Sequence, residues 1–460
     1  MIRQWRAFEP WIADDDAEFR ASHHALTPLR DVVVARREAV SINGSGFGDW
    51  FPITVHLDGE ISIRARSTPY QGGMFAAYPG DIVFSKIDAR SGAIGMLPPT
   101  IAKAAVTTEF PVFVGIPEKL DSGFVQRVLR TGGFLAALRS KATGTSGRKR
   151  ITPEAFLDLR VPLPSLDEQR AIVAAFDAAM AEAAAKERTA DETEAKAMAD
   201  FEAALGFAPP VPLPDRPIFV ASFKDFDRWS HEAVLRRTIG EATAATDWPM
   251  VELREVIADL ENGWSPKCLD RPAEAEEWGV LKVSAASASV YREDEHKALP
   301  GSVAPRPRLE VHAGDVLITR ASGVANLVGI SAYVGDTRSK LLLCDKLFRV
   351  IFRNDPVLDP QFLSIVLRAH SVRSQIIREF STQSGMMKNV SKPILLSLTF
   401  PLPPLEDQGV LIQALETSRA TAKGLRAEAA AIRATARGIF ESAIYDTRPT
   451  PSSNATQVLP

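Results

Sequence analysis

Four landmarks recur in the same order along the chain, and an ordered recurrence of this kind commits it to two copies of one fold. Leu29-Arg-Asp-Val-Val33 returns as Leu253-Arg-Glu-Val-Ile257, an offset of 224 residues. Gly80-Asp-Ile-Val-Phe-Ser-Lys86 returns as Gly314-Asp-Val-Leu-Ile-Thr-Arg320 at offset 234, and the apolar stretch 106–114 returns as 343–351 at offset 237. Pro162-Leu-Pro-Ser-Leu-Asp-Glu-Gln169 returns as Pro401-Leu-Pro-Pro-Leu-Glu-Asp-Gln408 at offset 239. The slow growth of the offset is what small loop insertions between two copies produce.

Each copy has the same internal order. Short β-like runs (81–85, 112–114, 316–319 and 348–352) stand between glycine and proline turns. A Pro-Leu-Pro segment then enforces an extended approach, because each proline disfavours helix in the residue before it. A long alanine-rich helix follows, opening at Ser165 in one copy and Pro404 in the other. In the second helix Leu411, Leu415, Ser418, Ala422, Leu425, Ala429, Ile432, Ala436 and Ile439 alternate steps of four and three, a heptad seam. The first helix starts on that register at Ile172, Phe176, Ala179 and Ala183, then turns polar from Lys186. The natural partner of each helix is the other, paired antiparallel if the halves are related by a twofold-like axis; a helix lying on a globular core is the alternative. The expected organisation is a mixed domain 1–164, a long helix 165–208, a proline-rich connector and lead-in 209–247, a second mixed domain 248–403, a second long helix 404–446 and a disordered tail 447–460. The fold class is α+β: two mixed α/β domains in pseudo-twofold repeat, joined by two long helices that form an antiparallel coiled coil.

The net charge of −3 excludes a generally basic nucleic-acid coat but conceals a partition. Residues 122–153 carry seven basic and no acidic side chains, residues 361–405 sum to +4, and the first helix, 165–208, sums to −6. Two basic domains joined by an acidic helix suit a protein that touches a polyanion at two places. The densest element, Thr143-Gly-Thr-Ser-Gly-Arg-Lys-Arg150, has Ser381-Thr-Gln-Ser-Gly-Met-Met-Lys388 as its counterpart. Glycine and small hydroxyl residues permit close backbone approach, while Arg and Lys neutralise phosphate. Pairing of these cations with the chain's own acids is the competing use.

Catalytic signals fail one after another. Gly44-Ser-Gly-Phe-Gly48 reads as a glycine turn, since it lacks the dinucleotide fingerprint and a following helix. There is no Walker lysine motif, Gly-x-Ser-x-Gly elbow, His-Glu-x-x-His, or Asn-Pro-Pro-aromatic segment of the kind found in amino-methylating DNA enzymes. His23-His24 reads as exposed polar sequence, and Cys268 and Cys344 as small packing residues rather than a disulfide or zinc set. No apolar run approaches the roughly 18 residues of a membrane span, and the first residues lack the apolar core of a secretory signal. The expectation is a cytoplasmic, non-catalytic binding protein with no membrane contact, no metal and no cofactor of its own.

With these residues in place the chain resembles the DNA-specificity subunit of type I restriction–modification systems, over about residues 27–446. The resemblance rests on Gly314-Asp-Val-Leu-Ile-Thr-Arg-Ala-Ser322, Leu343-Cys-Asp-Lys-Leu-Phe-Arg349 and Pro401-Leu-Pro-Pro-Leu-Glu-Asp-Gln408. Gly263-Trp-Ser-Pro-Lys267 and Trp278-Gly-Val-Leu-Lys282 add to it. The first half departs more, at Lys86-Ile-Asp-Ala-Arg90 and after Lys186. The resemblance implies two target-recognition domains, each reading half of a split double-stranded DNA target. It also implies two spacer helices that dock two modification (methyltransferase) subunits. Those partners would carry S-adenosylmethionine and methylate adenine, and a separate motor-nuclease restriction subunit would cleave unmodified DNA in defence against foreign DNA.

On that basis the DNA-binding candidates in the first domain are Lys86, Arg90, Arg139, Lys141, Thr145, Arg148, Lys149 and Arg150. In the second they are Lys267, Lys282, Arg320, Ser322, Lys388 and Asn389. Leu166, Gln169, Leu405 and Gln408, at the helix starts, are candidates for organising the contact with the modification subunits, or equally caps and core. Two other classes stay open: a fused nuclease or methylase, which cofactor binding by the isolated chain would reveal, and a coiled-coil scaffold without DNA preference, which footprinting would separate.

Overall fold

The glycine and proline punctuation cuts both halves of the chain into short strands, and the computed structural model shows how they assemble. It describes residues 22, 24–40, 47–64, 72–142, 150–207, 246–287, 290–380 and 388–445. The connector 209–245, the tail 447–460, His23, most of the Gly44–Gly48 turn and the basic loop 143–149 lie outside the described residues. Two units emerge, residues 1–187 with 427–460, and residues 188–426.

The first unit contains β1 (Leu26–Pro28), β2 (Val33–Ala35), β3 (Ala39–Val40), β4 (Ile53–Val55), β5 (Ile61–Ile63) and β6 (Met74–Ala77). It continues with β7 (Ile82–Phe84), β8 (Ile94–Met96), β9 (Ala104–Thr107) and β10 (Val112–Gly115). Helices α1 (Ser122–Val128), α2 (Gly132–Ser140) and α3 (Pro153–Leu157) follow, then β11 (Arg160–Pro162) and α4 (Leu166–Ala204), whose start belongs to this unit. The central sheet is antiparallel in the order β2-β10-β7-β8, flanked by β3-β6-β9, the β4-β5 hairpin and the β1-β11 pair.

The second unit holds β12 (Met250–Glu252), α5 (Leu253–Val256), β13 (Ile257–Asn262), β14 (Gly279–Leu281), β15 (His296–Ala298) and β16 (Val316–Thr319). Next come β17 (Ala321–Ser322), β18 (Ser331–Tyr333), β19 (Leu341–Leu342), β20 (Leu347–Phe352), α6 (Pro360–Val366) and α7 (His370–Phe380). The last elements are β21 (Lys388–Asn389), α8 (Lys392–Leu396), β22 (Thr399–Pro401) and α9 (Leu405–Ile444). Its central sheet, β13-β20-β16-β18, repeats the first unit's order, and β12-β22 repeats β1-β11. The sequence repeat is therefore a structural repeat.

Within each unit a segment of α4 packs antiparallel against a segment of α9. In the first, Phe176 meets Phe440 edge-on at 5.6 Å, and Lys186 pairs with Glu428 at 2.6 Å. In the second, Arg426 forks onto Glu194 and Asp191, with contacts of 2.8–2.9 Å. The buried seam is alanine at every seventh residue: Ala183, Ala190 and Ala197 on α4, and Ala422, Ala429 and Ala436 on α9. Small side chains let the two backbones approach closely, so the helices are an antiparallel coiled coil. The first helix does not leave the seam at Lys186, because alanine continues the spacing while the polar residues between serve as interhelical ion pairs.

One seam residue differs from the heptad expectation. Ile439 is 59% exposed and Phe440 is buried in its place, followed by Ile444. A straight helix has 3.6 residues per turn, so a strict 3.5 repeat drifts around it, and two consecutive steps of four restore the contact. At that end Phe440, Ile444 and Tyr445 join the core formed by Phe124, Phe134 and Leu138 of the first unit. In the second unit Phe201, Leu205 and Leu415 join the core under Phe362 and Phe400.

Candidate nucleic-acid interface

The candidate surface of the second unit is built where β16 ends. After Thr319 the chain bends, Arg320 donates its backbone N–H to Lys346 O at 2.8 Å, and its carbonyl accepts from Val390 N at 2.9 Å. Ala321 and Ser322 then pair with Asn389 and Lys388 in the β17–β21 ladder. The Gly263–Lys267 loop crosses the same corner. Trp264 N donates to Leu343 O at 2.8 Å, and a Cβ on Gly263 would lie 2.2 Å from Cys344 O, so only glycine fits there. Ser265 Oγ donates to the Asp345 carboxylate, and Arg320 reaches Asp345 O at 3.4 Å with its guanidinium 5.7 Å from the Phe348 ring centroid. The structure thus brings together Arg320, Ser322, Lys388 and Asn389, with the exposed Lys267 on the adjoining loop. Lys282 is elsewhere: it follows β14 and pairs with Glu295 at 3.3 Å, whose carboxyl is held below its usual range first by Ser284 and then by this lysine.

The first unit repeats the frame. Lys86 N donates to Glu109 O at 3.0 Å, and Lys86 O accepts from Ile151 N at 2.8 Å, the same pair of bonds that holds Arg320. Arg150 is exposed and pairs with Glu109 at 3.3 Å. These bonds set the alignment of the two loops one residue away from the sequence expectation: Arg150 corresponds to Asn389, not to Lys388. The helix caps agree, since Thr152 caps α3 and Ser391 stands before α8, an offset of 239. Arg90 is half-buried on the turn Ala89–Ser91, against which α2 packs. Arg139 and Lys141 are exposed at the end of α2, and Thr145, Arg148 and Lys149 lie outside the described residues.

Not all the local positive charge faces outward. Arg127 folds onto the helix pair, donating to Gly123 O at 2.6 Å and pairing with Asp177. Arg130 is buried and donates to the Gly92 and Ile94 carbonyls at 2.8 and 3.1 Å. In the second unit Arg373 does the equivalent for Val328 and Asn326 at 2.7 and 3.1 Å. Burial holds both guanidinium groups below their ordinary range. Arg368 is pushed down to about 10, chiefly by burial, and Lys392 pairs with Asp259. These arginines serve internal carbonyls, which a sum of charges along the sequence does not reveal.

At the helix starts, Gln169 and Gln408 are fully buried. Gln169 accepts from Asp121 N at 2.8 Å and donates to Lys119 O and Pro164 O at 3.0 and 2.9 Å. Gln408 accepts from Asp359 N at 2.8 Å and donates to Val357 O and Pro403 O at 2.9 and 2.8 Å. Both amides tie a helix to its domain and present no surface to a partner. Leu166 is half-buried and Leu405 is 48% exposed. Sequence reasoning passed over Lys346, although it stands within the Leu343–Arg349 motif. It also passed over Arg306, stacked 4.2 Å from the Trp264 ring centroid, and Glu109. Among the described residues no group of three or more His, Cys, Asp or Glu side chains could hold a metal ion, and no helix is long and apolar enough to cross a membrane.

No protein-family model matches the chain. It is 38% identical over 170 residues to the type I restriction enzyme EcoEI specificity subunit of Escherichia coli, covering 37% of this chain and 28% of that protein. It is 24% identical over 315 residues to the type I restriction enzyme EcoKI specificity subunit of Escherichia coli strain K12, covering 67% and 61%. The matched stretches thus span less than two thirds of these curated relatives. Among solved structures, a chain from work on complex assembly and conformational transition of the type I R-M system overlays with a TM-score of 0.54. Its identity is 18%, with coverage of 93% of this chain and 99% of that one, and it shares the fold. The HsdS subunit from Thermoanaerobacter tengcongensis overlays with a TM-score of 0.42 at 18% identity, over 91% and 96% of the two chains. The curated relatives are type I restriction enzyme specificity subunits.

Proposed function

We propose that this chain is a DNA-specificity subunit of a type I restriction–modification system. Each unit reads one half of a bipartite double-stranded target, and the chain directs adenine methylation, or cleavage, by partner subunits without catalysing either. The observation that carries this reading is the duplicated frame around Lys86 and Arg320: the same two backbone bonds in both units, with different side chains displayed. A repeated scaffold with unlike presented residues is what reading two unlike half-sites requires, because backbone contacts position while side chains specify. Lys86, Arg139, Lys141 and Arg150 in one unit, and Lys267, Arg320, Ser322, Lys388 and Asn389 in the other, supply phosphate and base-edge contacts. Arg90, Lys282 and residues 145, 148 and 149 stand as further phosphate contacts.

The helix pair docks two modification subunits, with the half-buried Leu166 and the more exposed Leu405 at the helix starts. S-adenosylmethionine enters with those subunits, and a motor-nuclease subunit joins the same assembly. The test is to express the chain with its cognate modification subunit and map methylated adenines across the host genome. One bipartite motif with a fixed unread spacer is expected. A soluble complex that leaves no new methylation would overturn the proposal in favour of a scaffold.

A further inference from the structure

The frames of the two units are alike, yet the charge displayed on them is not. In the second unit the residues flanking Arg320 are Lys346, exposed, and Asn389. In the first, the residues flanking Lys86 are Glu109 and Arg150, which form an ion pair. An acid stands where the other unit has a lysine, beside Lys86 and Arg150. An acid that served only to anchor its arginine would spend its acceptor capacity there. Glu109 instead stays 40% exposed; its Oε2, 3.3 Å from Arg150 Nη2, is enclosed, so the carboxyl is open on the side of Oε1. Arg150 Nη1 reaches the other oxygen only at 3.4 Å, so the pair is loose and the guanidinium remains half exposed.

We infer that Arg150 and Glu109 together read one C·G base pair in the half-site of the first unit, an inference that rests on the DNA-reading proposal. The major-groove edges of that pair are complementary to the two side chains. Guanine O6 and N7 accept from a guanidinium fork, and the cytosine N4 amino group donates to a carboxylate. A neighbouring carboxylate also disfavours phosphate near Arg150, which turns this arginine from backbone positioning to base reading. In the second unit Asn389 occupies the same place. An amide both accepts and donates, which matches adenine N6 and N7 rather than guanine.

The experiment uses the full chain co-expressed with its modification subunit, with methylated motifs mapped for wild type, Glu109→Ala, Arg150→Ala and Asn389→Ala. Wild type should show a bipartite motif with a G·C pair that both E109A and R150A relax. The expected loss of discrimination at that one position is roughly 5- to 150-fold, and the other half-site should be intact. N389A should relax one A·T pair in the other half-site. Should a variant support no methylation, enrichment of bound duplexes from a random pool by the purified complex reads the same preference without chemistry. E109Q, which keeps a carbonyl acceptor, should retain the cytosine preference that E109A loses. The inference is overturned if E109A and R150A leave the motif unchanged, relax different positions, or relax an A·T pair. A wild-type complex that neither methylates nor selects any bipartite sequence would instead sink the DNA-reading proposal beneath it.

Discussion

Gln169 and Gln408 show how one side chain fixes the junction between a domain and its helix. Each amide uses its oxygen and both N–H groups on backbone groups of loop 119–121 or 357–359 and of the proline segment before its helix, with no contact to water. Replacing Gln408 by Ala orphans the Asp359 N–H and two carbonyls. A buried group left unpaired costs about 1–3 kcal/mol, so Gln408→Ala should lower the denaturation midpoint of the full chain, as Gln169→Ala should through Asp121. An unchanged midpoint in both variants would show that the amides do not anchor the helices. The recurrence of these glutamines after Pro-Leu-Pro is visible in the sequence, but their burial is not. It depends on loops 119–121 and 357–359 folding over the helix starts, a long-range event with no local signature. The same holds for Arg130 and Arg373. They donate to carbonyls near the turns that lead into β8 and β18, from positions that do not align in the repeat, so no comparison of the two halves would have paired them.

At the scale of the helices, the seam and its charges answer to different forces. Alanine every seven residues fixes how closely α4 and α9 approach, and this period is legible in both sequences once polar residues are allowed between. The exchange of Ile439 for Phe440 is not legible, because it follows from accumulated helical drift meeting the Phe124–Phe176 pocket. Phe440→Ala should therefore cost about 3–5 kcal/mol, while Ile439→Lys, on an exposed face, should stay within about 0.5 kcal/mol. Thermal unfolding of the two variants side by side distinguishes them.

The interhelical ion pairs add a pH dependence. The Arg426 hydrogen bond, opposed by partial burial, holds the Glu194 carboxyl below its ordinary range. A carboxyl whose folded value is depressed contributes stability that is present above its unfolded value of about 4.3 and is lost as pH falls through the folded one. Helix pairing should weaken on acidification below about pH 4.3, and Glu194→Gln should be less stable near neutrality while losing part of that acid sensitivity. Circular dichroism melts at a series of pH values would show it. A wild type and an E194Q variant with parallel pH profiles would assign the acid sensitivity to other groups.

For the whole molecule, the repeat makes the two-unit plan readable from the sequence, because four collinear landmarks leave little other choice. What the sequence hides is which cations remain at the surface, since folding spends Arg127, Arg130, Arg368 and Arg373 on internal partners. The plan also makes a prediction about length. Both α4 and α9 contribute residues to both units. Deleting residues 184–190 together with 423–429 removes one heptad from each helix and keeps the alanine spacing in phase, Ala183 to Ala197 becoming the new seven-residue step as Ala422 to Ala436 does. Seven residues of helix are about 10 Å, or roughly three base pairs of B-DNA. If each unit reads its own half-site, the shortened chain should direct methylation to the same two half-sites separated by a spacer about three base pairs shorter. Deleting the heptad from one helix alone should break the pairing and abolish methylation. An unchanged spacer in the doubly deleted chain would mean that the helices do not measure the distance between half-sites, and that the partner subunits do.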